Sequence, residues 1–165
     1  MRFLKLAIIS VIVIFIILTA MSSLLPSQIL VSRAVDIKGS SNKIKENLFQ
    51  LKQWQYWMTD AQGNKTQHLY DAKKDVVTIG PTVITVASKN DSTLVTEWSA
   101  ANIMKGSFRI IDHHTPDSLI TVQWQMEQKV RWYPWEKFAS ITKDELWGGS
   151  MEKSLENLKL LVESH

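Results

Sequence analysis

Histidine is the side chain best suited to proton transfer near neutral pH and to metal ligation. Two of the four histidines of this chain fall in one short run, Asp112-His113-His114-Thr115-Pro116-Asp117. Adjacent residues on a strand face opposite ways, so His113 and His114 would converge only if the chain turned between them. Pro116-Asp117-Ser118 is turn chemistry, and an exposed turn is the expectation. His68 and Tyr70 have no evident partner in the sequence, and no Ser-His-Asp or His-Glu-x-x-His arrangement is legible. The chain has no cysteine, which excludes disulfides, thiol nucleophiles and thiolate metal sites. Its six glycines form no phosphate-cradling loop. No catalytic residue, metal ligand or cofactor is therefore assigned.

The distinctive chemistry is aromatic. There are seven tryptophans, at 54, 57, 98, 124, 132, 135 and 147, and each combines a large apolar ring with a single N–H donor. Trp54, Trp57, Trp98, Trp124, Trp135 and Trp147, together with Met126 and Met151, are the candidate ligand-binding residues. They could line a cavity for an apolar molecule; ordinary core packing is the alternative for about half of the tryptophans. Trp124 shares one face of an alternating run with Ile120, Val122 and Met126, and so points inward in either case. Between Arg131 and Lys137 stand Trp132, Tyr133 and Trp135, with Pro134 fixing a bend. Such a mixture suits a lip facing a membrane, or simply the connection between the last strand and the last helix.

These residues must be positioned by a domain that follows an unusual start. From Leu6 to Leu25 the chain carries no charge, and thirteen of the twenty residues are Leu, Ile, Val or Phe. Twenty helical residues span about 30 Å, the thickness of a bilayer's hydrocarbon core. Residues 1–25 are expected to be a membrane anchor, with a cleaved signal peptide ending near Ala20-Met21-Ser22 as the alternative. Arg2 and Lys5 precede the run, so the N-terminus should stay cytoplasmic and the remaining domain, 26–165, should be extracytoplasmic. Removing Arg2 and Lys5 from the 19 basic residues leaves 17 against 16 acidic ones. That near-balance argues against a nucleic-acid partner, and 45% hydrophobic residues argue against disorder.

Within 26–165, Ile29 to Lys38 alternates as a strand, broken only by the inward Arg33. Ser40 or Ser41 offers a helix cap, and Ile44, Leu48 and Leu51 make a helical stripe leading into Trp54 to Trp57. Thr66 to Tyr70 predicts a short strand. Strands follow at Thr82 to Ser88, Thr93 to Ser99, Ser107 to Ile111 and Leu119 to Glu127, separated by turns, as in an antiparallel meander. Trp147, Met151, Leu155, Leu158 and Val162 form the stripe of a long final helix, with Gly148-Gly149 allowing a bend or a fresh start.

This order resembles the helix-grip fold of the START-related (SRPBCC) superfamily, and more narrowly the bacterial polyketide cyclase/dehydrase and lipid transport proteins. Three stretches carry the likeness: Trp54-x-x-Trp57, Asp117 to Trp124 (DSLITVQW), and Ser150 to Val162 (SMEKSLENLKLLV). All three are packing patterns. The resemblance implies an α+β fold, a curved antiparallel sheet wrapped around a long C-terminal helix. It also implies binding of a hydrophobic small molecule or lipid between sheet and helix, on a periplasmic, single-pass membrane protein. The alternatives it leaves are a cyclase- or dehydratase-like enzyme acting on such a substrate, and a protein-interaction module without catalysis.

Overall fold

The computed structural model describes residues 2–60, 62–113 and 119–164. Its first element is the predicted apolar helix, α1 (Arg2–Ser23), long and apolar enough to cross a membrane. Strand β1 (Gln28–Lys38) follows, and Ser40 caps α2 (Ser41–Phe49) by accepting the Lys43 backbone N–H. A single 3-10 turn, Leu51–Gln53, leads into α3 (Trp54–Trp57). Six strands come next: β2 (His68–Asp71), β3 (Val76–Ile79), β4 (Thr82–Lys89), β5 (Thr93–Ser99), β6 (Ile103–Asp112) and β7 (Leu119–Lys129). The chain closes with α4 (Pro134–Ser140) and α5 (Lys143–Glu163).

The seven strands form one antiparallel sheet in the order β1-β7-β6-β5-β4-β3-β2. From β2 to β7 each strand pairs with the next, as short turns require, and β1 closes on β7. Along β7 burial alternates strictly, so one face of the sheet is apolar and must be covered. The helices α2, α3 and α5 cover it: Ile44, Leu48, Trp54, Trp57, Met151, Leu155, Leu158 and Val162 are all buried there with Val31, Ile37, Phe108, Ile120, Val122 and Trp124. This is the expected helix-grip α+β architecture.

Three features depart from the sequence expectation. The hairpin of β2 and β3 contains a strand, Val76–Ile79, that the pattern did not suggest. The final helix begins at Lys143 and passes through Gly148-Gly149 without a break. The connection from β7 includes a short helix, α4, with Pro134 in its first turn, where its missing N–H and fixed φ suit a helix start. The expected turn at His113 to Asp117 lies mostly outside the described residues, with only His113 inside them. There the His113 ring nitrogen Nε2 meets Thr121 Oγ1 at 2.7 Å, and that hydroxyl donates to Asp36.

Candidate functional site

Pairing across the sheet lays the inner face out in rows. Arg33, Trp124, Phe108 and Leu94 stand side by side in one, then Val31, Met126, Gly106 and Thr96, then Ile29, Gln128, Met104 and Trp98. Gly106 is the gap in the middle row. A Cβ there would stand 2.6 Å from Trp98 Nε1 and 2.7 Å from Thr96 Oγ1, so the glycine makes room for the Trp98 indole to lie back across the sheet. From there its ring reaches Trp124 at 5.9 Å and Trp54 at 6.0 Å.

Trp54 and Trp57 come down from α3 onto the same spot. Trp54 lies 5.7 Å from Trp57 and 5.2 Å, edge-on, from Phe108, and Phe108 stacks on Trp124 at 4.9 Å. Five rings thus meet in one cluster at the separations such pairs favour, with Met126 beside them on the sheet and Met151 buried on α5. Trp54 and Trp57 are wholly enclosed.

The polar atoms of the cluster are unequally served. Trp54 Nε1 donates to the Leu48 carbonyl at 2.9 Å, Trp57 Nε1 to the Asn47 carbonyl at 3.2 Å, and Trp98 Nε1 to Thr96 Oγ1 at 2.9 Å. Among the described residues Trp124 Nε1 has no acceptor, although its residue is only 3% exposed. A buried donor without a partner costs about 1–3 kcal/mol.

Where the third row ends there is a pocket of about 210 Å³, lined by Gln128, Val130, Ala139 and Lys143 among others. The Lys143 ammonium bonds the Gln128 side-chain oxygen and sits 5.2 Å from the centre of the Trp147 ring. Burial holds its pKa below the ordinary lysine value, against the opposing pull of Glu136. Trp147 is half-buried under that amine. Trp135, by contrast, is not brought to the interior: it stands on the outer side of α4, and the expectation that it joins the other candidates is corrected.

The titratable candidates lie away from the rings. His68 is on β2, its Nε2 meeting Thr66 Oγ1 at 2.6 Å and its buried Nδ1 without a partner among the described residues. Tyr70, two residues along, donates to Asp75 at 3.1 Å, and that carboxylate raises its pKa. His114 and Asp117 lie outside the described residues, and among those described no three His, Asp or Glu side chains converge as metal ligands would. Sequence reasoning missed Phe108, Thr96 and Gly106, which complete the cluster. Phe108 was visible as an inward position of an alternating strand, whereas the role of Gly106 needs the pairing register.

No family model matches the sequence, nor does any curated protein. Its fold, however, is shared with solved structures. A START superfamily protein from Mycobacterium smegmatis matches with a TM-score of 0.55 at 16% identity, over 82% of this chain and 98% of that one. A protein from Thermobifida fusca matches with a TM-score of 0.59 at 11% identity, over 82% and 93%. The di-domain ARO/CYC StfQ from the steffimycin biosynthetic pathway matches with a TM-score of 0.60 at 7% identity, over 83% of this chain and 51% of that chain. This chain therefore spans about half of that two-domain protein. The chain thus shares the fold of these proteins, a curved antiparallel sheet gripping a long C-terminal helix.

Proposed function

We propose that this protein is a membrane-anchored domain, lying on the extracytoplasmic side, that binds a hydrophobic small molecule or lipid between its sheet and C-terminal helix. The observation that carries this reading is the Trp124 N–H, without an acceptor among the described residues, inside a ring of Trp54, Trp57, Trp98 and Phe108. The guest is apolar and carries one hydrogen-bond acceptor, a carbonyl or ester oxygen, that meets Trp124. Trp98 is only partly buried and is the ring that swings off Gly106 to admit it, past Met126, Trp147 and Met151. The anchor is α1, and Arg2 and Lys5 ahead of its apolar run favour a cytoplasmic N-terminus. Likeness to START-related and ARO/CYC structures supports an apolar guest. A cyclase-like enzyme would need an ionisable group against that guest; Arg33, the charged neighbour of Trp124 in its row, is turned to Asp144, and the rest of the cluster offers indoles, a phenyl ring, thioethers and a threonine.

The test is native mass spectrometry of the detergent-purified protein together with a fluorescence titration using a fatty-acyl ester. A bound lipid, or a saturable tryptophan change that Trp124→Phe weakens while the fold persists, supports the proposal. A second reading, a protein-interaction module, draws on how completely the rings fill the interior. It takes the lead if no acyl compound binds the wild type.

A further inference from the structure

The connection between β7 and α5 presents an apolar surface that the domain leaves uncovered. Trp132, Trp135, Ile141 and Leu146 are 63%, 61%, 62% and 63% exposed, and Phe138 is exposed beside them. Trp132 leans at a tilt on Tyr133 with ring centroids 4.7 Å apart, and Tyr133 stacks on Trp135 at 4.9 Å. The opposite side of α4 is buried against the end of α1, where Ser22 is covered. Its Lys137, 4% exposed, donates to the Leu25 carbonyl at 2.9 Å and to Ser27 Oγ at 2.8 Å. A cation is favoured near that place, because the C-terminal end of α1, which closes at Ser23, carries partial negative charge.

Lys137 therefore fixes α4 at the level where the apolar run of α1 ends. We propose that α4 and its flanks lie in the headgroup layer of the bilayer that α1 spans, with Trp132, Trp135, Phe138, Ile141 and Leu146 turned into lipid. This rests on the anchor reading above. The exposed face belongs to a helix whose other side packs on the end of α1, and tryptophan rings flanked by Arg131 and Lys129 are the composition that interfaces select. An apolar helix face of this kind sinks about 5–10 Å into the headgroup boundary. The domain is then held in one orientation, and the pocket of Gln128 and Lys143, which Glu136 and Ala139 of α4 help to line, opens at the membrane surface.

Because the chain has no cysteine, single nitroxide labels can be placed on the full protein in phosphatidylcholine vesicles. Trp135→Cys, Ile141→Cys, Leu160→Cys and Ile14→Cys would be compared for collision with oxygen, which concentrates in lipid, and with a water-soluble nickel chelate. Position 14 should be deep in lipid and position 160 open to the chelate. Positions 135 and 141 should show an oxygen-to-chelate ratio several-fold above that of 160. If 14 is in lipid but 135 and 141 match 160, the proposal falls and the anchor reading stands. If 14 itself meets the chelate, both fall. Shielding of 135 and 141 from both colliders, with spin–spin broadening, would instead assign the face to a second copy of the chain and overturn the proposal.

Discussion

The guanidinium of Arg33 lies directly over Gly148, so that a Cβ at 148 would overlap Nη2 and stand 2.7 Å from Cζ. Arg33 faces the inner side of β1, between Val31 and Val35, and a charge there needs an outlet. It finds one across the helix, where its two terminal nitrogens each lie 3.4 Å from an Asp144 oxygen and one also bonds the Ser32 carbonyl at 2.9 Å. The glycine is the seat of that side chain.

Replacing Gly149 by Ala should therefore stabilise the protein by about 0.5–1 kcal/mol, because nothing surrounds its Cβ position and glycine is a poor helix former. Gly148→Ala should give less or a net loss, since the guanidinium must move. In an Arg33→Ala background the two substitutions should become equal. Urea unfolding of the four variants checks this, and equal gains in the presence of Arg33 would sink it.

Leu155 and Leu160 are both on α5, five residues apart, one enclosed and the other exposed. Leu155→Ala should cost about 2–5 kcal/mol through lost contacts and the cavity left behind. Leu160→Ala should stay within about 0.5 kcal/mol. Similar thermal shifts for the two would refute the packing of α5 described above.

Trp124→Phe keeps a ring in the cluster and deletes a donor that no described residue accepts. Trp54→Phe deletes a donor that serves the Leu48 carbonyl, leaving that oxygen unpaired. The second should cost about 1–3 kcal/mol more than the first, the penalty of an unmet buried group. Denaturant midpoints decide it, and the reverse order would show that Trp124 already has a partner in solution.

Burial holds the His68 imidazole below its ordinary pKa of 6.5. The unfolded chain takes up the proton first on acidification, and the folded chain only at lower pH. The stability His68 confers is thus complete above 6.5 and falls as pH drops from there toward the lowered native value. His68→Gln should flatten the loss of stability between neutral and mildly acidic solution. Identical slopes for variant and wild type would remove this histidine from the account.

Much of the fold was legible because period reports burial. Ile120, Val122, Trp124 and Met126 alternate, and Met151, Leu155, Leu158 and Val162 recur at helical spacing, so β7 and the buried stripe of α5 follow directly. Val76–Ile79 was not legible, because a four-residue strand is too short for period two to stand out from chance. Gly148-Gly149 suggested a break since propensity is local, whereas Arg33, more than a hundred residues earlier, supplies the reason for the first glycine. The site was legible as an inventory of indoles. Which rings meet, that Trp135 stays outside, and that one N–H lacks an acceptor all depend on register and on side chains distant in sequence.

The pairing of β1 with β7 sets the order of events during synthesis. Of the described strands β1 leaves the ribosome before the others; it lies at the sheet edge, its neighbour among them is β7, and their paired residues run from Lys38 with Leu119 to Gln28 with Lys129. Until that partner emerges, β1 has no ladder to join, while the strands from β2 to β7 can zip together successively. Non-local pairing of this kind slows folding. The stretch beside the apolar helix, though made first, is among the last to acquire its native neighbours, and a chain halted before residue 119 would leave β1 unpaired.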